Sequence, residues 1–193
     1  MRKLALSTVA TLLAGPALAH TGHGAADGFL HGLGHPVFGM DHLLAMVTVG
    51  LWSGFVLPQR FWAGAMAFMG AMVLGAALSW YGFALLGVET LITSSVVVFG
   101  LLTLLTRRGQ GAGMTTASLA AIAAFALAHG HAHATEATGQ ALAYLAGFLS
   151  STAALHLAGI ALARSVAEGR FASLVQRVLG GGVAMGGLLL AFG

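Results

Sequence analysis

Histidines and carboxylates are concentrated in two short segments of this chain, residues 35–42 and 129–136. The side chains in these segments that are able to bind a metal ion are His35, Asp41, His42, His129, His133 and Glu136. Imidazole nitrogen and carboxylate oxygen together suit divalent nickel, cobalt, zinc, copper and iron. The chain contains no cysteine, which excludes thiolate metal sites, disulfides and cysteine nucleophiles. The sequence therefore predicts a metal site built from nitrogen and oxygen ligands.

The spacing of the first segment fits a site at the start of a helix. His35 and His42 are seven residues apart, or about two helical turns, so a helix that begins early enough places them on one face. Asp41 directly precedes His42 and can either ligate the ion or orient the imidazole. We therefore expect two imidazoles and one carboxylate from this segment.

The spacing of the second segment predicts a single ligand-bearing face on a helix. His129 and His133 are four residues apart, and Glu136 follows three residues later, so these three side chains share a face. His131 lies between them in sequence and is expected to point elsewhere. One histidine alone is often only a hydrogen-bonded packing residue, but two clusters together favour metal binding.

Five further side chains are candidates for the same chemistry. Glu89 begins a third apolar stretch and would bring a carboxylate from another helix to a similar depth. His156 lies far along the fifth stretch. It is either a second binding site on the route of the ion or a histidine that is hydrogen-bonded to a nearby backbone carbonyl. Thr152, one turn earlier, is available as a partner. His20, His23 and His31 either form a loose capture site for metal, helped by the free amine of His20, or have no role.

The composition indicates that the elements positioning these side chains are membrane-spanning helices. Of 193 residues, 58% are hydrophobic and only 7% are charged, which is more apolar surface than a soluble domain can cover. A hydrocarbon core about 30 Å thick takes roughly 20 residues per helix. We predict an all-α, polytopic fold with six transmembrane helices, at residues 38–57, 62–82, 88–106, 115–131, 139–162 and 172–192. Ionisable groups are costly to place in or beside such spans, which favours a functional role for them.

The chain is predicted to begin with a cleavable signal peptide, residues 1–19. A basic start precedes an apolar run, and Ala17-Leu18-Ala19 fits an A-x-A cleavage site. Residues 20–37 follow as a His- and Gly-rich extracytoplasmic lead, predicted to be too polar and too rich in glycine for a stable helix. Residues 38–193 are predicted to form the six-helix transmembrane domain.

The arginines predict the orientation of the helices in the membrane. Those beyond the signal peptide all fall on one side of the predicted spans: Arg60, Arg107, Arg108, Arg164, Arg170 and Arg177. The positive-inside rule makes that side cytoplasmic, so both mature termini should face the periplasm across a bacterial inner membrane. The net charge of +3 comes without a basic patch interleaved with aromatic residues, so binding to nucleic acid is not expected.

The first segment also has a distinctive pattern, His35-Pro36-x-x-Gly39-x-Asp41-His42-x-x-x-Met46. With the His-rich second segment, the signal peptide and six spans, it resembles the HupE/UreJ family of hydrogenase and urease accessory membrane proteins over essentially the whole chain. The resemblance implies a nickel permease whose matching positions are His35, Asp41, His42, Glu89, His129 and Glu136. The motif differs by one residue from the H-x4-D-H of the larger nickel/cobalt transporter family, to which we do not assign the chain.

These observations together predict a secondary transporter and not an enzyme. Its cargo is expected to be Ni²⁺, with Co²⁺ next and Zn²⁺ also open, moved into the cytoplasm for metalloenzyme maturation. The sequence has no ATP-binding motif, so movement must follow a gradient or be coupled to another ion. The expected partners are the divalent ion and the lipid bilayer, with cytosolic metallochaperones as candidate recipients, and the oligomeric state is left open.

Two other functions are compatible with the same residues. In an intramembrane metal-dependent hydrolase, His129, His133 and Asp41 would hold a metal whose bound water is the nucleophile. A site that binds a metal without transporting it, as in a sensor, is the second. A serine hydrolase is disfavoured, because Gly50-Leu51-Trp52-Ser53-Gly54 is similar to the rhomboid serine motif but has a different spacing and only His156 as a partner.

Overall fold

This computed structural model describes residues 25–137 and 139–192, and every regular element among them is an α-helix. The helices are α1 (Ala25–Phe38), α2 (Met40–Val56), α3 (Ala63–Trp80), α4 (Val88–Leu105), α5 (Ala112–Glu136), α6 (Ala141–Val166) and α7 (Ala172–Phe192). The predicted all-α class is therefore confirmed. The predicted signal peptide, together with His20 and His23, lies outside the described residues.

The helices have the length and composition of membrane spans. Helices α3 to α7 are each long and apolar enough to cross a bilayer, whereas α1 and α2 qualify only as a pair that is bent by 79°. The chain is thus a polytopic membrane protein with five candidate spans, and a sixth if the bent pair forms one broken span. The fourth predicted span stopped at residue 131, but α5 continues to Glu136, so the whole second segment is helical.

The prediction that residues 20–37 do not form a helix is wrong for the described part, which is α1. Glycines weaken an isolated helix, but here they allow α1 to pack closely on α6. A Cβ at Gly32 would overlap the backbone of Tyr144, and a Cβ at Gly147 would overlap the carbonyl of Phe29. Close contact with α6 therefore compensates for the low helix propensity of this segment.

A corner separates α1 from α2. Gly39 has an extended backbone, with φ −85° and ψ 112°, and interrupts the helix at that point. His35 in the last turn of α1 and His42 in the first turn of α2 consequently face each other across the corner, with ring centroids 5.9 Å apart. The two imidazoles do come together, but on two helices and not on one face.

Helix α2 lies at the centre of the bundle, and residues 48–56 of this helix are all buried. It packs most extensively on α6, where Gly50 and Gly159 bring the backbones so close that a Cβ on either would overlap the other helix. Helices α3 and α5 pair in the same way through Gly75 and Gly130. These close approaches fix the rotation of α5 and α6 about their axes, and so the direction in which their histidines point.

The two ends of the bundle differ in their polar residues. We call the end formed by the α1–α2 corner and the last turns of α5 the histidine end. The opposite end, where the chain passes from α2 to α3, from α4 to α5 and from α6 to α7, is the arginine end. A cavity of about 180 Å³ there is lined by Gly54, Pro58, Arg108, Arg164, Ala167 and Glu168, which brings these three connections together.

Candidate metal site

Three buried imidazoles meet at the histidine end. His42 comes from α2, and His129 and His133 come from successive turns of α5. Each offers one nitrogen, and these nitrogens all lie within 4.8 Å of one another. We call these three residues the buried triad. Helix α5 reaches this position because Gly130 lets it approach the backbone of Met72 on α3.

A second group of donors lies beside the first and shares one residue with it. His35, His133 and Glu136, here called the mouth triad, also offer donor atoms within 4.8 Å of one another. The Nδ1 atom of His133 is 3.2 Å from Oε2 of Glu136, and Nε2 of His35 is 3.6 Å from the same oxygen. Glu136 is exposed and His35 is half-buried, so the mouth triad connects the buried triad with the surroundings.

Asp41 orients His42 and belongs to neither triad. Its Oδ1 accepts a hydrogen bond from the backbone N–H of His42 at 2.8 Å and lies 2.7 Å from Nδ1 of the imidazole. A carboxylate acceptor requires a proton on Nδ1, so a neutral His42 has its free lone pair on Nε2. Of the two roles predicted for Asp41, the geometry supports orientation of the imidazole, the usual arrangement behind a metal-binding histidine.

Ser95 on α4 fixes which nitrogen of His129 carries the proton, and Ser95 is not among the residues predicted from the sequence. The Ser95 hydroxyl donates its only proton to the carbonyl of Ile92 at 2.6 Å, so it can only accept from Nε2 of His129, 3.0 Å away. The proton of His129 is therefore on Nε2. Its Nδ1 is buried, has a free lone pair and lacks a hydrogen-bond partner in the described chain. Nothing in the spacing of the sequence connects Ser95 to the second segment.

The contact between His42 and His133 has two possible arrangements of protons. The Nε2 atoms of His42 and His133 face each other within hydrogen-bonding distance. Asp41 holds the proton of His42 on Nδ1, and if Glu136 does the same for His133, both facing nitrogens have lone pairs. Two facing lone pairs repel unless they share a cation. Only a proton fits at the 2.5 Å that separates these two nitrogens, so a divalent ion with nitrogen ligands at about 2.1 Å would bind after the two rings move apart. The alternative is that Nε2 of His133 carries the proton and donates it to His42.

The other candidate residues lie away from the triads. His131 donates from Nε2 to the carbonyl of Phe83 at 2.7 Å, so it points away from the ligand face as predicted. Glu89 is exposed in the first turn of α4, and the structure does not bring it to either triad. Helix α4, which was predicted to contribute the carboxylate of Glu89, contributes the hydroxyl of Ser95 at the site.

His156 is fully buried on α6 and lies deeper in the bundle. Its carbonyl packs on Gly50, eight residues along α2 from His42, which corresponds to about 12 Å at about 1.5 Å per residue. Its Nδ1 donates to the carbonyl of Thr152 at 2.7 Å, whereas Nε2 has no partner in the described chain. The bond to a backbone carbonyl is therefore present as one of the two alternatives predicted, whereas the role of His156 as a second station for the ion stays a prediction. Ser53 has no hydrogen-bond partner in the described residues either, so no Ser–His dyad is formed.

Comparison with known proteins gives a consistent result. The family model described as HupE / UreJ protein matches residues 8–190. The chain is also 39% identical to "Protein HupE" of Rhizobium leguminosarum bv. viciae, and the aligned region covers all of both chains. No solved structure matches the chain.

Proposed function

This chain belongs to the HupE/UreJ family, and we propose that it is a secondary transporter that moves a divalent transition-metal ion through the membrane. Ni²⁺ is the first choice of cargo and Co²⁺ the second. The main support is the pair of triads that share His133, because two adjacent sites with a common ligand allow an ion to move from one to the other without full release.

The two triads suit successive stages of ion capture. The mouth triad includes an exposed carboxylate, which attracts a hydrated cation and replaces some of its water. The buried triad offers neutral imidazoles whose orientation is fixed by Asp41 and Ser95, so it replaces more water with nitrogen ligands. The ion thus exchanges its hydration shell for protein ligands in steps.

His133 is proposed to allow only one triad to hold an ion at a time. When the ion binds Nδ1 with His35 and Glu136, the proton of His133 lies on Nε2 and is donated to His42. When the ion binds Nε2 in the buried triad, the proton lies on Nδ1 and is donated to Glu136. The two bound states therefore differ in the tautomer of His133, with the proton on Nε2 in the first and on Nδ1 in the second. The expected binding stoichiometry is one ion per chain, although there are two groups of ligands.

The direction of transport is proposed to be from the histidine end to the arginine end. Six arginines lie at or near the second end, and the positive-inside rule would place that end in the cytoplasm of a bacterial inner membrane, with both mature termini in the periplasm. Inward movement of a cation is favoured by the membrane potential, by about 2.3 kcal/mol per charge per 100 mV. His20 and His23 are proposed as a loose capture site outside, and cytosolic metallochaperones as recipients for metalloenzyme maturation.

The hydrolase alternative has less support from the geometry. It requires Asp41 as the third metal ligand, but Asp41 Oδ1 is occupied by both the backbone and the imidazole of His42. A hydrolase would also need a general base to activate the metal-bound water. Glu136 could serve as that base, but it lies on the mouth side of His133. We therefore propose that the protein is not an enzyme.

Flux through the purified protein tests this proposal. Full-length protein in liposomes loaded with a metal-responsive dye should admit Ni²⁺ at a rate that saturates with concentration, and equilibrium dialysis should give one bound Ni²⁺ per chain. Protein-free liposomes are the control for leakage. Tight binding of Ni²⁺ without flux would contradict transport, and two bound ions per chain would contradict the shared role of His133.

A further inference from the structure

The histidines of the two triads continue into the bundle as a row of contacting rings. Ring centroids are 4.7 Å apart between His35 and His133, 4.5 Å between His133 and His42, and 4.9 Å between His42 and His129. Among the described residues, the next ring beyond His129 toward the interior is that of Phe68 on α3. An ion that moves inward from the buried triad therefore meets an aromatic ring.

Phe68 contacts two imidazoles that each have an unpartnered nitrogen. Its ring centroid is 5.3 Å from that of His129 and 5.0 Å from that of His156. Nδ1 of His129 and Nε2 of His156 are both buried and have no hydrogen-bond partner in the described chain. Buried polar atoms without partners are rare in proteins, and two of them beside one apolar ring need an explanation.

We propose that Phe68 is the gate of the transport path, closing it between the buried triad and His156. This inference rests on the proposed transport function and adds to it the residue that limits passage. Phe68 is 0% exposed and its ring is apolar, so it excludes water and offers no ligand to a partly hydrated ion. An apolar constriction of this kind closes a path by keeping it dry.

The position of the gate explains why both neighbouring nitrogens lack partners. An ion leaving His129 needs a ligand on the far side of the ring, and the free lone pair of His156 Nε2 provides one once the ring turns aside. His156 in turn is held by its bond to Thr152, so its free nitrogen is already in the state that binds a metal. In the closed state, the ring of Phe68 thus blocks passage between the buried triad and the free nitrogen of His156.

Replacement of Phe68 tests the gate by separating flux from binding. In liposomes, Phe68→Ala should raise the maximum Ni²⁺ flux about tenfold, which is the effect of removing about 1.4 kcal/mol from the barrier. The Kd for Ni²⁺ should stay within about twofold of the unmodified protein, because the ligands of both triads remain. Phe68→Trp, with a larger ring, should lower the flux by a similar factor at the same Kd.

The matched control is Phe99→Ala. Phe99 is 1% exposed and packs on Phe68 and Phe125, but its ring contacts no histidine in the described chain. A similar cavity is made in the same part of the core, so general loosening would affect both variants equally.

If Phe68→Ala fails to fold, Phe68→Leu replaces the ring with less loss of volume and should still raise the flux, by a smaller factor.

The possible results separate this inference from the proposed function. Equal flux in the unmodified protein, Phe68→Leu and Phe68→Trp, or equal increases in Phe68→Ala and Phe99→Ala, would overturn the gate and leave transport intact. Absence of Ni²⁺ flux from the unmodified protein and from every variant would contradict transport itself.

Discussion

The two ends of the bundle both bury polar side chains, but they satisfy them differently. At the arginine end, Trp52 Nε1 donates to the Thr106 hydroxyl at 2.9 Å, and Gln176 Nε2 donates to the carbonyls of Thr103 and Thr106 at 2.8 and 2.7 Å. These bonds join α2, α4 and α7 through polar groups that are each other's partners. Since the donors and acceptors in these three bonds match, we expect them to contribute to stability. The Ser53 hydroxyl and Oε1 of Gln110 lie near the same end without a hydrogen-bond partner in the described chain.

The histidine end has the opposite arrangement. The Nε2 atoms of His42 and His133 face each other, and Nδ1 of His129 has no partner within the described residues. Asp41 and Ser95 keep the remaining protons away from the centre of the triad. The comparison teaches that burial of polar groups alone does not identify a site. Buried imidazoles from separate segments whose nitrogens lie within reach of one ion are a stronger indication, because a single metal ion can bind all of them.

The largest expected effect comes from removing one imidazole of the buried triad. His42→Ala should reduce Ni²⁺ flux in liposomes at least about 100-fold, more than loss of an outer-shell partner costs a metal site. The thermal unfolding temperature of the same preparation without metal checks that the variant is folded, so that the lost flux is not a consequence of unfolding. The control is His131→Ala, which loses only a bond to Phe83 and should keep flux within about twofold. Equal fluxes in the two variants would show that the buried triad is not the site.

An intermediate effect is expected at the mouth triad. Glu136→Gln should raise the Ni²⁺ concentration at half-maximal flux about tenfold, because the lost carboxylate lowers affinity. The maximum flux should be recovered at high external Ni²⁺, since the buried triad is intact. Glu89→Gln removes an exposed carboxylate near the same end and should leave the concentration dependence unchanged. A lower maximum flux that excess Ni²⁺ does not restore would indicate that Glu136 has a chemical role and favour the hydrolase.

The smallest effect on transport is expected at the arginine end. Gln176→Ala removes two hydrogen bonds and should lower the free energy of unfolding by about 2–3 kcal/mol, because the carbonyls of Thr103 and Thr106 lose their partner. Flux per folded molecule should remain within about twofold of the unmodified protein. Unfolding by denaturant and liposome flux on the same preparation measure the two quantities. Loss of flux with unchanged stability would show that the arginine end takes part in transport as well, which contradicts the proposed difference between the two ends.

Local features of the sequence determined much of the fold and the second segment. Composition predicted an all-α membrane protein, since a chain this apolar must bury its backbone hydrogen bonds in helices. The positions of His129, His133 and Glu136 on one face, with His131 turned away, follow from the helical period alone. The first motif also identified the family that the comparisons confirm.

Only the tertiary structure decided how separate segments meet. His42 and His133 are 91 residues apart, and their contact depends on glycines such as Gly130 that let two helices approach closely. Helical periodicity holds within one helix and carries no information about its rotation against a neighbour. For the same reason the sequence predicted Glu89 in place of Ser95, and gave no indication of the corner at Gly39 that turns His35 toward the triad. Those placements are set by backbone contact between distant segments, which spacing along the chain does not encode.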